Sequence, residues 1–147
     1  MDEQPSKQPL RYTLKRHEIL RGKRAFTYLF EHGQTFRMGV LKFYFVFDIP
    51  EELVKSSLTG AFSAPKRLHK RAVARNLLKR RMREAFRLNK HILLPLLKQN
   101  NMRLVIFVTY TRPYIAKYDQ IASGMKAGLH RLAKEVEKRE ADTDISG

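Results

Sequence analysis

One stretch of this chain restricts its fold more than any other. It runs from Ser63 to Lys90 and reads SAPKRLHKRAVARNLLKRRMREAFRLNK. Eleven basic residues (Lys66, Arg67, Lys70, Arg71, Arg75, Lys79, Arg80, Arg81, Arg83, Arg87, Lys90) stand against a single acid, Glu84. On a wheel of about 100° per residue with Arg75 at zero, Arg71, Lys79, Arg80, Arg83 and Arg87 fall within roughly 180° of one another, with Asn76 among them. Ala74, Leu77, Leu78, Met82, Ala85 and Leu88 take the opposite arc. The segment therefore reads as one helix that buries an apolar face and presents a cationic face to a polyanion. A charge run is ordinarily just a solvated face. Here the phosphate-matching groups are almost unrelieved by acids, which favours nucleic acid as the partner.

The rest of the composition points the same way. A formal charge of +16 over 147 residues disfavours a compact state through self-repulsion, and a polyanionic partner is the commonest compensation. An anionic membrane surface is the rival, but no apolar run approaches the roughly 18 residues of a membrane span. No signal peptide opens the chain. The absence of cysteine excludes a disulfide framework, Cys-ligated zinc and thiol catalysis. A cytoplasmic location is the simplest expectation.

Length predicts one domain with a real core. Residues 1–10 read as a disordered tail, 11–138 as the domain and 139–147 as a second polar tail. Lys23 to Glu31 carries Phe26, Leu29 and Phe30 at helical spacing, with Gly33 placed as a C′ stop. Thr35 to Asp48 is β-like: Leu41, Phe43, Phe45 and Phe47 share one strand face, and Lys42, Tyr44 and Val46 the other. After the polar turn region Pro50 to Ser57, Leu58 to Ala64 forms a third short strand. MRLVIFVTY (102–110) suits a buried strand. Tyr118 to Val136 closes the domain as a helix, striped by Ile121, Met125, Leu129, Leu132 and Val136. The order α-β-β-β-α-β-α gives an α+β, single-domain two-layer α/β sandwich. Two helices lie on one sheet face, and Tyr44 and Lys42 stay more open on the other.

Catalytic constellations are missing. The five histidines show no HxxxH or HExxH spacing, and paired carboxylates, a Walker loop and GxGxxG are all lacking. Phe26, Leu29 and Phe30 have the spacing of core residues. Tyr44 is placed either to pack or to stack on a single-stranded base, and spacing alone leaves both open.

The residues do suggest a family. The spacing KxAVxRNxxKRxxRE, carried by Lys70, Ala72-Val73, Arg75-Asn76, Lys79-Arg80 and Arg83-Glu84, resembles the signature helix of the protein subunit of bacterial ribonuclease P. Tyr12-Thr13-Leu14, Phe26 with Phe30 and Gly33, and Ser63 to Arg67 fall in the same family order. The likeness covers roughly Leu10 to Lys138, by element order more than by residue after Lys90.

That resemblance implies a left-handed crossover from the third strand through the basic helix to the fourth, where pattern alone defaults to right-handed. It implies a protein cofactor of an endoribonuclease whose catalytic RNA, with bound Mg²⁺, removes the 5′ leader of precursor tRNA. No metal is expected on the protein's own side chains. Lys66, Arg67, Lys70, Arg71, Arg75, Asn76, Lys79, Arg80 and Arg83 would then bind the catalytic RNA. Phe26, Phe30 and Tyr44 match the cleft positions that hold the leader. Two departures stand out. The family usually reads Arg-Asn-Arg, whereas this chain has Arg75-Asn76-Leu77, with Leu77 expected to pack inward. The loop Pro65 to Lys70 is longer than in many relatives and has Leu68-His69 where a glycine often sits. A ribosomal protein or RNA chaperone is the alternative that composition alone favours. An autonomous nuclease comes third.

Overall fold

In a computed structural model the described residues are Leu14 and 16–146, with side chains placed as far as residue 141. The expected N-terminal tail and the Tyr12-Thr13 pair lie outside them. Elements run in the order α1 (Lys23–His32), β1 (Gln34–Met38), β2 (Leu41–Phe47), β3 (Leu58–Ser63), α2 (Ala72–Asn89), α3 (Leu94–Gln99), β4 (Leu104–Tyr110) and α4 (Tyr118–Ser146). This is the expected α+β order with one short helix added.

The β-like run Thr35 to Asp48 folds back on itself because Gly39 takes φ +61° at the first of two loop positions, between the paired residues Met38 and Leu41. A two-residue loop with positive φ first has the hand that matches strand twist, and glycine adopts it without a Cβ penalty. The sheet order is β1-β2-β4-β3. The β1–β2 and β2–β4 pairs are antiparallel, and β3–β4 is parallel. Parallel neighbours cannot be joined by a hairpin, so the chain crosses over through α2 and α3.

Alternation decides which side chains meet the helices. Leu41, Phe43, Phe45 and Phe47 of β2 join Leu104, Ile106, Val108 and Tyr110 of β4 in the main core. Leu78, Met82, Ala85 and Phe86 of α2 and the Ile121, Met125, Leu129, Leu132 and Val136 stripe of α4 close over them. On the reverse face α1 covers one end, where Leu20, Ala25 and Leu29 pack on Val46, Ala61 and Val105. Beyond α1 that face stays open around half-buried Lys42 and Tyr44, as the alternation implied.

Four details differ from the sequence reading. Helix α3 falls in the segment between the basic helix and β4; its six residues are too few to show periodicity, and Pro95 in its first turn marks its start. Helix α4 runs to Ser146, past the domain boundary set at 138, and no Gly or Pro falls between 138 and Gly147 to stop it. Gly33 caps α1 in extended geometry (φ −84°, ψ 170°) rather than left-handed. It must be glycine because an added Cβ would press on the Leu29 carbonyl and lie 2.8 Å from that of Phe45. Finally, β4 is not buried on both faces: Phe107 and Thr109 are half-exposed beside Tyr44 and Lys42.

Candidate nucleic-acid interface

Helix α2 sorts its cations into two groups. The first is tied into the protein. Arg75 is half-buried and donates from one guanidinium nitrogen to the His69 and Lys70 carbonyls at 2.9 and 2.7 Å, closing the preceding loop. Arg81 donates to the Ala116 carbonyl at 2.6 Å. Arg87 pairs with Glu84 at 2.6 Å, and its guanidinium holds that carboxyl below the usual carboxylate range. Lys90 is buried and donates to both carboxylate oxygens of buried Glu18 at 3.0 Å, tying the turn Arg16–Glu18 to the end of α2.

The second group faces water. Arg80 and Arg83 are exposed on α2, with exposed Asn76 between them on the same face and half-buried Lys79 at its margin. Lys66, Arg67, Lys70 and Arg71 are exposed on the loop leading into the helix. None of these six exposed cations has an ion pair among the described residues. The structure thus brings the sequence candidates together, except that Arg75 is hydrogen-bonded within the protein and closes the loop. Phe86, about 20° from Arg75 on the wheel and fully buried, pulls that arc inward. Leu77 is a second correction. It is half-buried but lies outside the core cluster, on a surface groove lined by Leu14, Arg80, Arg83 and Tyr118. His69, in the same basic run, is a satisfied core histidine: its Nε2 is 2.8 Å from the Arg112 carbonyl and its ring lies against Tyr110.

The aromatic candidates converge on the open sheet face. Phe26 and Phe30, one turn apart on α1, lie 6.3 Å apart at 25°. Phe30 meets Tyr44 edge-on at 5.5 Å, and both contact Phe107, at 5.6 and 5.5 Å. Phe107 is the residue the sequence reading missed. Period-2 alternation in LVIFVTY already separates it from Ile106 and Val108, and it pairs directly with Tyr44 across β2–β4. Phe30 is 54% exposed, so one ring face is available for stacking.

Beside this cluster the register sets a polar row across the sheet: Arg37 opposite Lys42, Lys42 opposite Thr109, Thr109 opposite Ser63. Lys42 Nζ sits 4.9 Å from the Tyr44 ring centroid. Ser63 leads directly into the loop with Lys66 and Arg67. Stacking rings and cations are therefore contiguous from α1 to the base of α2, the combination that single-stranded nucleic acid requires. Among the described residues no three His, Asp or Glu side chains converge as a metal cluster, and no helix is long and apolar enough to cross a membrane.

Comparison with known proteins places the chain in a family. Residues 14–133 match the ribonuclease P family. A ribonuclease P protein component from Chlorobaculum tepidum is 42% identical over 81 residues, which span 54% of this chain and about half (53%) of that relative. One from Porphyromonas gingivalis is 27% identical over 128 residues, covering 87% of this chain and 92% of the relative. The RNase P protein of Staphylococcus aureus superposes with a TM-score of 0.60 over 80% of this chain and 95% of that one; at 21% identity this likeness shows the fold. The family match, extending from Leu14 through most of α4, establishes that the chain belongs to the ribonuclease P protein family.

Proposed function

We propose that this chain is the RNA-binding subunit of ribonuclease P, holding the catalytic RNA on one surface and the 5′ leader of precursor tRNA on another. Hydrolysis is assigned to the RNA subunit with its Mg²⁺, leaving the mature tRNA 5′ end; the protein supplies binding. Arg80, Arg83, Lys79 and Asn76, with the loop cations Lys66, Arg67, Lys70 and Arg71, form the surface for the catalytic RNA. Arg75 positions that loop. The leader lies across Phe26, Phe30, Tyr44 and Phe107, with Lys42 and Arg37 beside its phosphates.

The observation that carries this reading is the different make-up of the two surfaces. Among the described residues one is cationic and has no exposed aromatic ring of its own; the other has an exposed ring in a cluster of four with cations at one edge. Duplex RNA is gripped mainly through its phosphates and 2′-hydroxyls, whereas an unpaired leader offers bases to stack. The test compares affinities of the reconstituted holoenzyme for precursor tRNA and for mature tRNA. Tyr44→Ala with Phe30→Ala should weaken binding of the leader-bearing form by about 1–3 kcal/mol per lost stack and spare the mature form. An equal loss for both substrates removes the cleft assignment. Circular dichroism must show that the variant remains folded.

A further inference from the structure

The groove beside α2 has a composition that neither folding nor phosphate binding explains. It encloses about 490 Å³ and is walled by Leu14, Leu77 and Tyr118, with Arg80 and Arg83 at its rim. Its other polar members are already engaged: Arg81 with the Ala116 carbonyl, Arg87 with Glu84. Leu14 and Tyr118 pack on the core, but Leu77 does not, so its apolar surface serves the groove rather than the interior.

We propose that the groove receives an unpaired nucleobase of the RNA subunit, packed against Leu77 and Tyr118, with its flanking phosphates on Arg80 and Arg83. The inference rests on the reading of α2 as the RNA-binding surface and specifies one contact on it. A phosphate alone needs no apolar wall, and an apolar peptide needs no pair of cations at the rim. A nucleotide needs both, and arginine suits it because its planar fork binds phosphate while its face accepts a base. Size is adequate, since the space lies within the range of small-ligand pockets.

The experiment measures affinity of the full-length protein for the catalytic RNA across a salt series, together with chemical protection of RNA bases. Four variants are compared: Leu77→Ala, Leu77→Arg, Arg80→Ala and Arg83→Ala. Leu77→Ala should weaken binding roughly tenfold at every salt concentration, as expected for lost apolar contact with the base, without changing the slope of log affinity against log salt. It should also expose one base that the wild type protects. Arg80→Ala and Arg83→Ala should each flatten the slope by about 0.7–0.9, and Leu77→Arg should steepen it by a similar amount while losing the base protection. Unchanged affinity and protection in Leu77→Ala, alongside flattened slopes in the arginine variants, overturns the groove assignment and leaves the RNA-binding surface standing. No effect from either arginine takes both down. Because Leu77 lies outside the core, thermal melts of its variants should match the wild type.

Discussion

Replacing Gly128 by alanine tests how closely α4 sits on the sheet. In an exposed helix interior this change stabilises by up to about 1 kcal/mol, through propensity alone. The structure reverses the sign. A Cβ at position 128 would lie 2.5 Å from Phe43 Cε1 and 2.8 Å from Cε2, with Cζ closer still. Ordinary carbon–carbon contact begins at about 3.5 Å, so the overlap is about 1 Å. Phe43 cannot retreat, being fully buried and stacked on Phe36 at 4.8 Å and 6°. Overpacking of this kind costs typically about 1–3 kcal/mol, and occasionally more. Taking the upper end against the propensity gain leaves the variant about 2 kcal/mol less stable, a fall in Tm of roughly 6 °C for a chain of this size. Calorimetric melts of Gly128→Ala, and of Gly128→Ala with Phe43→Leu, decide the matter. The second variant should recover part of the loss, because leucine vacates the space the ring edge occupies. A Tm equal to or above wild type in the single variant would refute the packing argument.

Three further expectations follow from the same structure. Phe107→Leu should reduce affinity for leader-bearing precursor tRNA while leaving catalytic-RNA affinity unchanged, measured by binding each RNA separately; equal losses would place Phe107 in the fold and not in the cleft. Tyr110 is fully buried, its hydroxyl donating to the Tyr114 carbonyl and accepting from the Ala116 N–H at 2.9 Å. Burial raises its pKa above 10.0, so the stability it contributes is intact below pH 10 and is lost as pH rises through the folded value. Urea melts between pH 9 and 11 should therefore fall less steeply for Tyr110→Phe than for the wild type. Glu84 has its pKa lowered from 4.5, chiefly by its hydrogen bond from Arg87, so the support it gives α2 is present above pH 4.5 and lost as pH falls through the folded value. Glu84→Gln should flatten this small acid limb in melts between pH 3 and 5, while a limb identical to wild type would show that the pair contributes nothing.

The sequence carried much of this in local form. Alternation in LKFYFVF and the stripe from Ile121 to Val136 each assign a face without reference to the rest of the chain, and both faces are the ones the structure buries. The basic helix was legible in extent but less so in orientation. Arg75 falls within the cationic arc on the wheel, but Phe86 beside it is buried and the structure turns the Arg75 guanidinium back onto its own loop. Other features depend on residues far apart in the chain and had no local signal. The Glu18–Lys90 pair joins positions 72 residues apart, and His69 finds its acceptor 43 residues away at Arg112. Such partners exist only once the crossover has formed. Phe107 was concealed differently. An apolar strand reads as buried on both faces, and only its pairing with Tyr44 shows that one face meets an open cleft. The motif that resembles the ribonuclease P signature helix pointed to the family; the division of its cations into tied and exposed groups required coordinates.

One reconstitution tests the assignment of this protein most directly. The protein is mixed with a bacterial ribonuclease P RNA and precursor tRNA at Mg²⁺ concentrations too low for the RNA to act alone, and release of the 5′ leader is followed over time. The account predicts leader removal only when RNA and protein are both present, with stimulation reduced by Tyr44→Ala and by Arg80→Ala through different steps, substrate binding in the first and subunit assembly in the second. No stimulation by the wild-type protein, or cleavage by the protein without the RNA, would contradict it.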